Sequence, residues 1–251
     1  MDNKDNKIAL VTGGTGGIGT AICQHLAADG MRVIATYSRA DKKDQAEQWR
    51  AEQKELGYEM ELVCADVGDF NACESARDDI VNRIGDVDII VNNAGITRDS
   101  VMKKMNVGQW DSVIQTNLNS VFNITKQFLD GMISRQYGRV INISSINAQK
   151  GQFGQVNYSA AKAGMHGFTK ALAQEVARKG ITVNTISPGY IATSMIMAIE
   201  ESVRDKIEAQ IPIGRFGQPE EIARVVSFLA AEDAGFITGS NIAANGGQHM
   251  F

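Results

Sequence analysis

Tyr158 and Lys162 are the two residues of this sequence best placed to carry proton chemistry together. They lie four apart in NYSAAKAGMHGFTK, a stretch that predicts a packed helix, and residues spaced by four share one helix face. A tyrosine with its ordinary pKa of about 10 is a poor proton carrier at neutral pH. A cation about 4 Å away contributes roughly 4 kcal/mol at an effective dielectric near 20. We therefore expect Lys162 to lower the pKa of Tyr158, although a solvated pair on a helix is the common alternative.

The glycine-rich segment VTGGTGGIG, residues 11–19, indicates a dinucleotide site. It follows an apolar run that predicts a strand and it opens a helical stretch, so a pyrophosphate could sit at the helix N-terminus. The spacing fits GxGxxG ending at Gly19 and also GxxxGxG beginning at Gly13. A flexible turn without a ligand is the alternative, and the position between strand and helix argues against it.

The end of the second predicted strand, TYSRADKK, favours NADP(H) over NAD(H). NAD sites usually place a carboxylate there for the ribose 2′-hydroxyl, whereas NADP sites keep a cation. The strand tip ends in Ser38 without an acid, and Arg39, Lys42 and Lys43 would attract a 2′-phosphate. Asp41 weakens this pattern, and a solvated run of charges is the alternative.

Strand and helix signals alternate along the rest of the chain, which implies parallel pairing with right-handed crossovers. There is no internal repeat, linker or low-complexity tract. The sequence therefore predicts a single α/β domain over residues 1–251, a Rossmann-type doubly wound parallel sheet of about seven strands with helices on both faces. Helices are expected at 109–134 and 157–179, and a small helical cap segment around 190–212.

Composition excludes several classes of protein. The net charge of −4, with acidic and basic residues mixed along 251 residues, does not suggest a nucleic-acid partner. The polar start MDNKDNK and the lack of a long apolar run predict a soluble cytoplasmic protein without a membrane partner. Cys23, Cys64 and Cys73 form no CxxC and are expected to be reduced, buried thiols. The histidines have no metal spacing, so no metal is expected, and His166 is expected to pack on its helix.

Together these motifs resemble the single-domain branch of the short-chain dehydrogenase/reductase family over nearly the whole chain. The matching motifs are TGGTGGIG, NNAG at 92–95, Asn117 in QTNL, NISS at 142–145, Tyr158-x-x-x-Lys162 and SPG at 187–189. The resemblance implies a catalytic set of Asn117, Ser145, Tyr158 and Lys162. In it, Ser145 and Tyr158 hydrogen-bond the substrate carbonyl, Tyr158 donates the proton, and a nicotinamide cofactor supplies hydride. Lys162 would hold the ribose and stabilise the tyrosinate, and Asn117 would support a water that relays protons.

Ser145 is preferred to Ser144 because it lies thirteen residues before Tyr158, as in the family pattern. The cofactor contacts that the resemblance implies are Gly13, Thr15, Gly17, Ile18, Gly19, Ser38, Arg39, Asp66, Val67, Asn93, Ala94, Gly95, Tyr158, Lys162, Pro188, Gly189, Ile191 and Thr193. Structural alternatives stay open for three of them: Asn93 and Gly95 could simply shape a turn, and Asp66 could cap a loop.

Two groups within the family fit the same core: acetoacetyl-CoA reductases of the polyhydroxybutyrate pathway and reductases of 3-oxoacyl groups on acyl carrier protein. The second group typically carries docking cations where this chain has Gln136 and Gln174, and losing them weakens steering toward an acidic partner. Neutral surface drift is the alternative, and Arg135 could compensate in part. The segments QKGQFGQ, ALAQEVARKGITVNTISPGYIAT and NGGQHM resemble the first group.

The resemblance thus implies NADPH-dependent reduction of acetoacetyl-CoA to (R)-3-hydroxybutyryl-CoA. The alternatives are a carrier-protein reductase and, less favoured, a non-catalytic NADP-binding protein. The implied substrate residues are Asp99, Gln152, Phe153, Gly154, Gln155 and Tyr190, beside Pro188, Gly189 and Ile191. Ser194, Met197 and Glu200 depart from the acidic, basic and basic residues expected there, so the CoA phosphates need other cations, for which Lys150, Arg98 and Lys103 are candidates. A homotetramer through helices 109–134 and 157–179 is also implied.

Overall fold

Short apolar runs become buried strands here because a parallel sheet covered by helices on both faces hides its strands from two sides. The computed structural model describes residues 7–250, and in it seven parallel strands lie in the order β3-β2-β1-β4-β5-β6-β7. The strands are β1 (Ile8–Val11), β2 (Arg32–Tyr37), β3 (Met60–Cys64), β4 (Ile89–Asn92), β5 (Gly138–Ile143), β6 (Ile181–Pro188) and β7 (Asn241–Ala244). The predicted Rossmann-type sheet is confirmed.

Helices connect successive strands and pack on both faces of the sheet. They are α1 (Gly17–Ala28), α2 (Lys43–Glu55), α3 (Phe70–Arg83), α4 (Val107–Ile114), α5 (Ser120–Arg135), α6 (Asn147–Lys150), α7 (Val156–Val176), α8 (Ser194–Met197), α9 (Glu201–Glu208) and α10 (Pro219–Ala230). One core lies between the sheet and α1 with α10, where Ile22 and Val226 are fully buried. The second lies under α3, α5 and α7, around Ile124 and Met132.

The strand order reverses at β1, because the chain adds β2 and β3 on one side and then returns to place β4 on the other. Val11 at the end of β1 is in register with Ala35 of β2 and Val91 of β4. In open α/β sheets the crevice beyond the carboxyl ends of the strands at such a reversal is where ligands bind. The topology therefore directs attention to the residues that follow β1, β4 and β5.

Helical segments differ in detail from the expected boundaries. The helix expected at 109–134 is α4 and α5 joined by a π-helical turn, Gln115–Asn119. The helix expected at 157–179 is α7 with a final 3₁₀ turn, Ala177–Lys179. The cap segment around 190–212 contains two short helices, α8 and α9.

The expectation that all three cysteines are buried is wrong for one of them. Cys23 and Cys73 are buried, but Cys64 is exposed, because it is the last residue of the edge strand β3. Within residues 7–250, no helix is long and apolar enough to cross a membrane, and no group of three or more His, Cys, Asp or Glu side chains is placed to hold a metal ion. The polar residues 1–6, on which the absence of a signal sequence was predicted, lie outside the described residues.

Candidate active site

A cleft of about 1330 Å³ opens at the carboxyl ends of β1, β4, β5 and β6. Single small-molecule sites usually occupy about 300–1,000 Å³, so this cleft has room for two ligands side by side. Every residue that the sequence predicts for the cofactor lines it. So do Ser145 and, among the predicted substrate residues, Asp99, Gln152, Phe153, Gln155 and Tyr190.

The glycine loop between β1 and α1 forms one half of the cleft. Gly13 has a φ of +62°, a conformation that favours glycine, and its N–H donates to Thr36 Oγ1 at 3.1 Å. A Cβ atom added to Gly19 would lie 2.3 Å from the Gly13 carbonyl oxygen, so only glycine fits there. The N-cap of α1, Gly16, supplies no side-chain acceptor to the first N–H groups of the helix. Such a cradle fits a pyrophosphate group.

The loop after β4 is tied to the glycine loop by hydrogen bonds. Thr12 Oγ1 accepts from the N–H groups of Asn93 and Ala94, each at 3.0 Å. Asn93 Nδ2 donates to the carbonyl oxygens of Thr12 at 2.9 Å and Gly13 at 3.2 Å. Asn93 therefore has the structural role that the sequence left open, while its position still lines the cleft.

The far end of the cofactor half is lined by Ser38, Arg39 and Lys42, whereas Lys43 does not line it. Arg39 makes two hydrogen bonds of 3.1 Å to the exposed carboxylate of Asp41. The tip of β2 carries no carboxylate. These residues fit an adenosine that carries a 2′-phosphate. The phosphate would compete with the carboxylate of Asp41 for the guanidinium of Arg39.

Lys162 lies at the bottom of the cleft and is only 3% exposed. Its Nζ donates to the carbonyl oxygen of Ile143, at the end of β5, at 2.7 Å, and lies 5.8 Å from the ring centroid of Tyr158. Burial lowers the pKa of Lys162 to about 7, because desolvation disfavours the charged form. A Cβ added to Gly95 would lie 3.5 Å from this Nζ and 2.6 Å from Asn117 Oδ1, which shows how closely the three residues approach.

The expected lowering of the Tyr158 pKa is wrong for the chain alone. Burial raises the pKa of Tyr158, the hydrogen bond with Ser145 opposes that rise, and the charge of Asp99 adds to it. The ammonium of Lys162 does not offset the burial because it is itself desolvated and turned to the Ile143 carbonyl. The phenol is therefore protonated at neutral pH, the state that a proton donor requires.

The two serines after β5 have different surroundings. Ser144 Oγ donates to the carbonyl oxygen of Lys162 at 2.9 Å and contacts His166 Nε2 at 3.0 Å. Ser145 Oγ accepts from the N–H of Asn147 at 3.1 Å and hydrogen-bonds Tyr158. Ser144 thus fixes the helix, while Ser145 faces the phenol. Burial, with the charge of Lys170, lowers the pKa of His166. Its Nε2 also lies 3.4 Å from Ser187 Oγ in β6, so His166 meets the ends of two strands, whereas the sequence predicted packing on its own helix.

Asn117 lies in the π-helical turn between α4 and α5 and is fully buried. Its Oδ1 accepts from the N–H of Ile96 and its Nδ2 donates to the carbonyl oxygen of Ile96, both at 2.8 Å. It adjoins Lys162 through Gly95 but does not itself line the cleft. The water relay implied for Asn117 stays a prediction.

The substrate half of the cleft is built from the loops around Asp99 and Gln155. Gln155 Nε2 donates to Asp99 Oδ2 at 2.8 Å, and Asn147 Nδ2 donates to Gln155 Oε1 at 2.9 Å. Phe153 is 87% exposed at the mouth. Gly154 is the one predicted substrate residue that does not line the cleft, because its carbonyl oxygen accepts from Ser100 N at 2.8 Å.

Sequence reasoning missed several lining residues: Asn147, Trp49 of α2, and Ile196, Ile199 and Ile207 of the cap. The isoleucines could have been found from the apolar positions of the cap segment. Asn147 gives no sequence signal, since its role depends on the hydrogen bonds that it makes to Ser145 and Gln155.

Comparisons with known proteins agree with this geometry. A family model described as short chain dehydrogenase matches residues 7–204. The acetoacetyl-CoA reductase of Cupriavidus necator is 56% identical over 244 residues, covering 97% of this chain and 98% of that protein. The acetoacetyl-CoA reductase of Allochromatium vinosum is 52% identical over 97% of this chain and 99% of that protein. The 3-oxoacyl-[acyl-carrier-protein] reductase of Escherichia coli is 45% identical over 99% of both chains.

Proposed function

The chain belongs to the short-chain dehydrogenase family of oxidoreductases, and from that premise we propose that it reduces acetoacetyl-CoA to (R)-3-hydroxybutyryl-CoA with NADPH. The observation that carries the proposal is the meeting of Ser145, Tyr158 and Lys162 at the bottom of the cleft whose other half is the glycine cradle. NADPH, when bound, supplies the hydride.

The side chains around the reacting carbonyl donate the proton and stabilise the charges that develop. Tyr158 is protonated at neutral pH and donates its proton to the oxygen as the alkoxide forms. The Ser145 hydroxyl accepts from the N–H of Asn147 and hydrogen-bonds Tyr158, and its hydrogen would turn from the phenol to that oxygen when the substrate binds. Lys162, in its protonated form, stabilises the tyrosinate that remains and would hold the ribose of the cofactor.

The preference for NADPH rests on the far end of the cleft. Arg39 and Lys42 line it, and no carboxylate at the tip of β2 is present to repel a 2′-phosphate. The ion pair with Asp41 is exposed, and such pairs are worth about 0–1 kcal/mol. A 2′-phosphate can therefore replace Asp41 as the partner of Arg39 with little loss of free energy.

Two observations favour a CoA thioester over a carrier-protein thioester. The relatives named for acetoacetyl-CoA match this chain at higher identity than the carrier-protein reductase does. Arg135 cannot compensate freely for Gln136 and Gln174, because it pairs with Asp86 at 3.2 Å and contacts Asp88 at 3.5 Å.

The missing cation at Gln136 is only modest evidence against a carrier-protein substrate, because Gln136 lies far from the cleft. Gln136 precedes β5, whereas Lys162 meets its far end, so the length of the strand, roughly 17 Å, separates them along the sheet. A carrier protein docked at Gln136 would therefore have to span at least this distance to reach the cleft of its own chain. The homotetramer itself stays a prediction, which the 52% exposure of Phe122 on α5 supports. The cytoplasmic location and the polyhydroxybutyrate pathway also stay predictions.

The proposal is tested by following NADPH oxidation by purified protein with acetoacetyl-CoA and with acetoacetyl-carrier protein, and then with NADH in place of NADPH. The ratio kcat/KM reports discrimination between substrates. We expect a clear preference for the CoA thioester and for NADPH. A preference for the carrier protein would place the enzyme in fatty-acid synthesis, equal use of NADH would remove the NADPH assignment, and no oxidation with either thioester would indicate a non-catalytic NADP-binding protein.

A further inference from the structure

The mouth of the cleft has two sides of opposite charge. One side, which we call the basic rim, consists of the loops 98–104 and 150–155, and its charged residues are Arg98, Asp99, Lys103, Lys104 and Lys150. The other, which we call the acidic cap, consists of residues 194–208 and contains α8 and α9; its charged residues are Glu200, Glu201, Arg204, Asp205, Lys206 and Glu208. Cations dominate the rim and carboxylates dominate the cap.

Hydrogen bonds hold the two loops of the basic rim together at the substrate half of the cleft. Ser100 N donates to the Gly154 carbonyl oxygen at 2.8 Å, and the turn that follows is closed by a bond from Lys104 N to the Val101 carbonyl oxygen at 2.8 Å. Lys103 and Lys104 follow Ser100 by three and four residues, so the chain holds their Cα atoms within about 14 Å of it. Ser100 also pairs with Gln155, which lines the cleft, so the two lysines lie in a loop next to the lining residues without lining the cleft themselves.

The cations of the basic rim are available to a ligand. Arg98, Lys103, Lys104 and Lys150 are exposed, and none forms an ion pair with another residue of the described range 7–250. The one carboxylate of the rim, Asp99, is held by Gln155 Nε2 at 2.8 Å. Lys150 does not line the cleft, but its Nζ lies 6.0 Å from the ring centroid of Tyr190, which does.

The acidic cap presents a different surface to the same opening. Ile196, Ile199 and Ile207 line the cleft from the cap, so its inner side is apolar while its carboxylates repel phosphates. An uncharged thioester arm can lie along these isoleucines, but a phosphorylated end is directed to the opposite side.

We propose that the basic rim, with Lys103 and Lys104 at its centre, binds the phosphate groups of the 3′-phospho-ADP end of CoA. This inference rests on the proposed function and deepens it, because it names the surface that distinguishes CoA from thioesters without phosphates. The acyl group then extends past the Asp99–Gln155 pair to Ser145 and Tyr158, and the rim contributes to KM without taking part in proton transfer.

The experiment compares acetoacetyl-CoA with acetoacetyl-pantetheine, which has the same reacting group and no phosphate. The variant is the double substitution Lys103→Gln/Lys104→Gln in the full-length protein. The matched control, Arg204→Gln/Lys206→Gln, removes two cations from the acidic cap. Exposed charge pairs are each worth up to about 1 kcal/mol, so we expect the rim variant to lower kcat/KM for acetoacetyl-CoA about three- to ten-fold through KM. We expect kcat/KM for acetoacetyl-pantetheine to stay within about two-fold, and the control to leave the ratio of the two substrates unchanged.

Added salt provides a second readout, because it screens exposed charges. We expect kcat/KM for acetoacetyl-CoA, but not for acetoacetyl-pantetheine, to fall as NaCl is raised, with a weaker fall in the rim variant. The inference would be overturned if the rim variant lost kcat/KM equally for both thioesters or for neither. It would also be overturned if the control variant changed the ratio of the two substrates as much as the rim variant does. A loss confined to acetoacetyl-carrier protein would assign the rim to that partner instead and would also overturn it. If the wild type reduces neither small thioester with NADPH, the proposed function itself has failed.

Discussion

Two cations are buried to the same extent at opposite ends of β5, and their surroundings are very different. Arg139, at the beginning of the strand, and Lys162, whose Nζ meets its end, are each 3% exposed. The guanidinium of Arg139 donates to four carbonyl oxygens, those of Gly138, Gly180, Ala231 and Glu232, at 3.0 to 3.4 Å. It also lies 4.6 Å from the ring centroid of Tyr137.

Lys162 has far fewer partners for its three N–H donors. Within residues 7–250, its ammonium has one oxygen acceptor, the carbonyl of Ile143, and its other contact is the sulfur of Met165 at 4.0 Å. A buried ion without enough partners is costly, and proteins keep such groups where they serve a ligand or a reaction. Arg139 and Lys162 are therefore distinguished by how many hydrogen-bond acceptors surround them and not by burial, which fits a structural role for Arg139 and the proposed catalytic role for Lys162.

The largest effects are expected when each of these cations is replaced by methionine. We expect Lys162→Met to lower kcat/KM for acetoacetyl-CoA by at least about 100-fold, because it removes the charge that stabilises the tyrosinate. At pH 7 its free energy of unfolding should change by less than about 1 kcal/mol, since a desolvated charge is lost together with one hydrogen bond. Arg139→Met should instead lower the free energy of unfolding by about 3 kcal/mol or more, because it leaves several buried carbonyl oxygens without hydrogen-bond donors.

Urea unfolding and steady-state kinetics on the two variants give the measurement. Folded Arg139→Met should keep kcat/KM within about two-fold of the wild type. If Arg139→Met does not fold, Arg139→Lys, which keeps the charge and some of the bonds, should show an intermediate loss of stability. The comparison is contradicted if Lys162→Met destabilises the protein as much as Arg139→Met, or if it leaves activity intact.

The buried ammonium of Lys162 should also make the stability of the protein depend on pH. Burial lowers the pKa of Lys162 from 10.5 to about 7, so between these values the unfolded chain binds more protons than the folded one. Stability therefore rises with pH in this window, by up to about 1.4 kcal/mol per pH unit, and this contribution is flat below the folded pKa. Urea unfolding of the wild type and of Lys162→Met from about pH 6 to pH 9 should show the rise in the wild type alone. A constant difference between the two proteins would mean that Lys162 does not titrate in this range.

The smallest expected effect concerns an exposed cation, Arg39, which shares its charge with Asp41. We expect Asp41→Asn to increase the affinity for NADPH about two- to five-fold, because the 2′-phosphate no longer competes with a carboxylate. The affinity for NADH should not change. Fluorescence titration measures both, and Asp44→Asn, which removes another exposed carboxylate from the start of α2, is the matched control. Equal gains for NADPH and NADH would show that Asp41 does not act through the 2′-phosphate.

Most of the fold and of the cofactor half could be predicted from sequence, because local signals determine them. Gly13 is required by a turn with positive φ, and Gly19 by the close approach of the Gly13 carbonyl oxygen only six residues away. The strands follow from short apolar runs. The predicted cofactor residues therefore all line one cleft. Their individual roles, and those of the catalytic residues, stay predictions.

What sequence could not predict depends on contacts between distant segments. Whether the pKa of Tyr158 rises or falls depends on how deeply the phenol is buried and on where Lys162 Nζ points. Nothing in the sequence at the start of β5 shows that Arg139 meets carbonyls more than ninety residues away. The π-helical turn around Asn117 interrupts what reads as one continuous amphipathic helix.

The central claim is that the Tyr158 hydroxyl transfers the proton in a cleft that binds NADPH independently of it. The most direct measurement compares the wild type with Tyr158→Phe in two assays: NADPH binding by fluorescence titration and NADPH oxidation with acetoacetyl-CoA. General acids typically contribute about 10²- to 10⁴-fold, so the account predicts a loss of at least about 100-fold in kcat/KM with the NADPH Kd within about three-fold. Activity retained by Tyr158→Phe would contradict it.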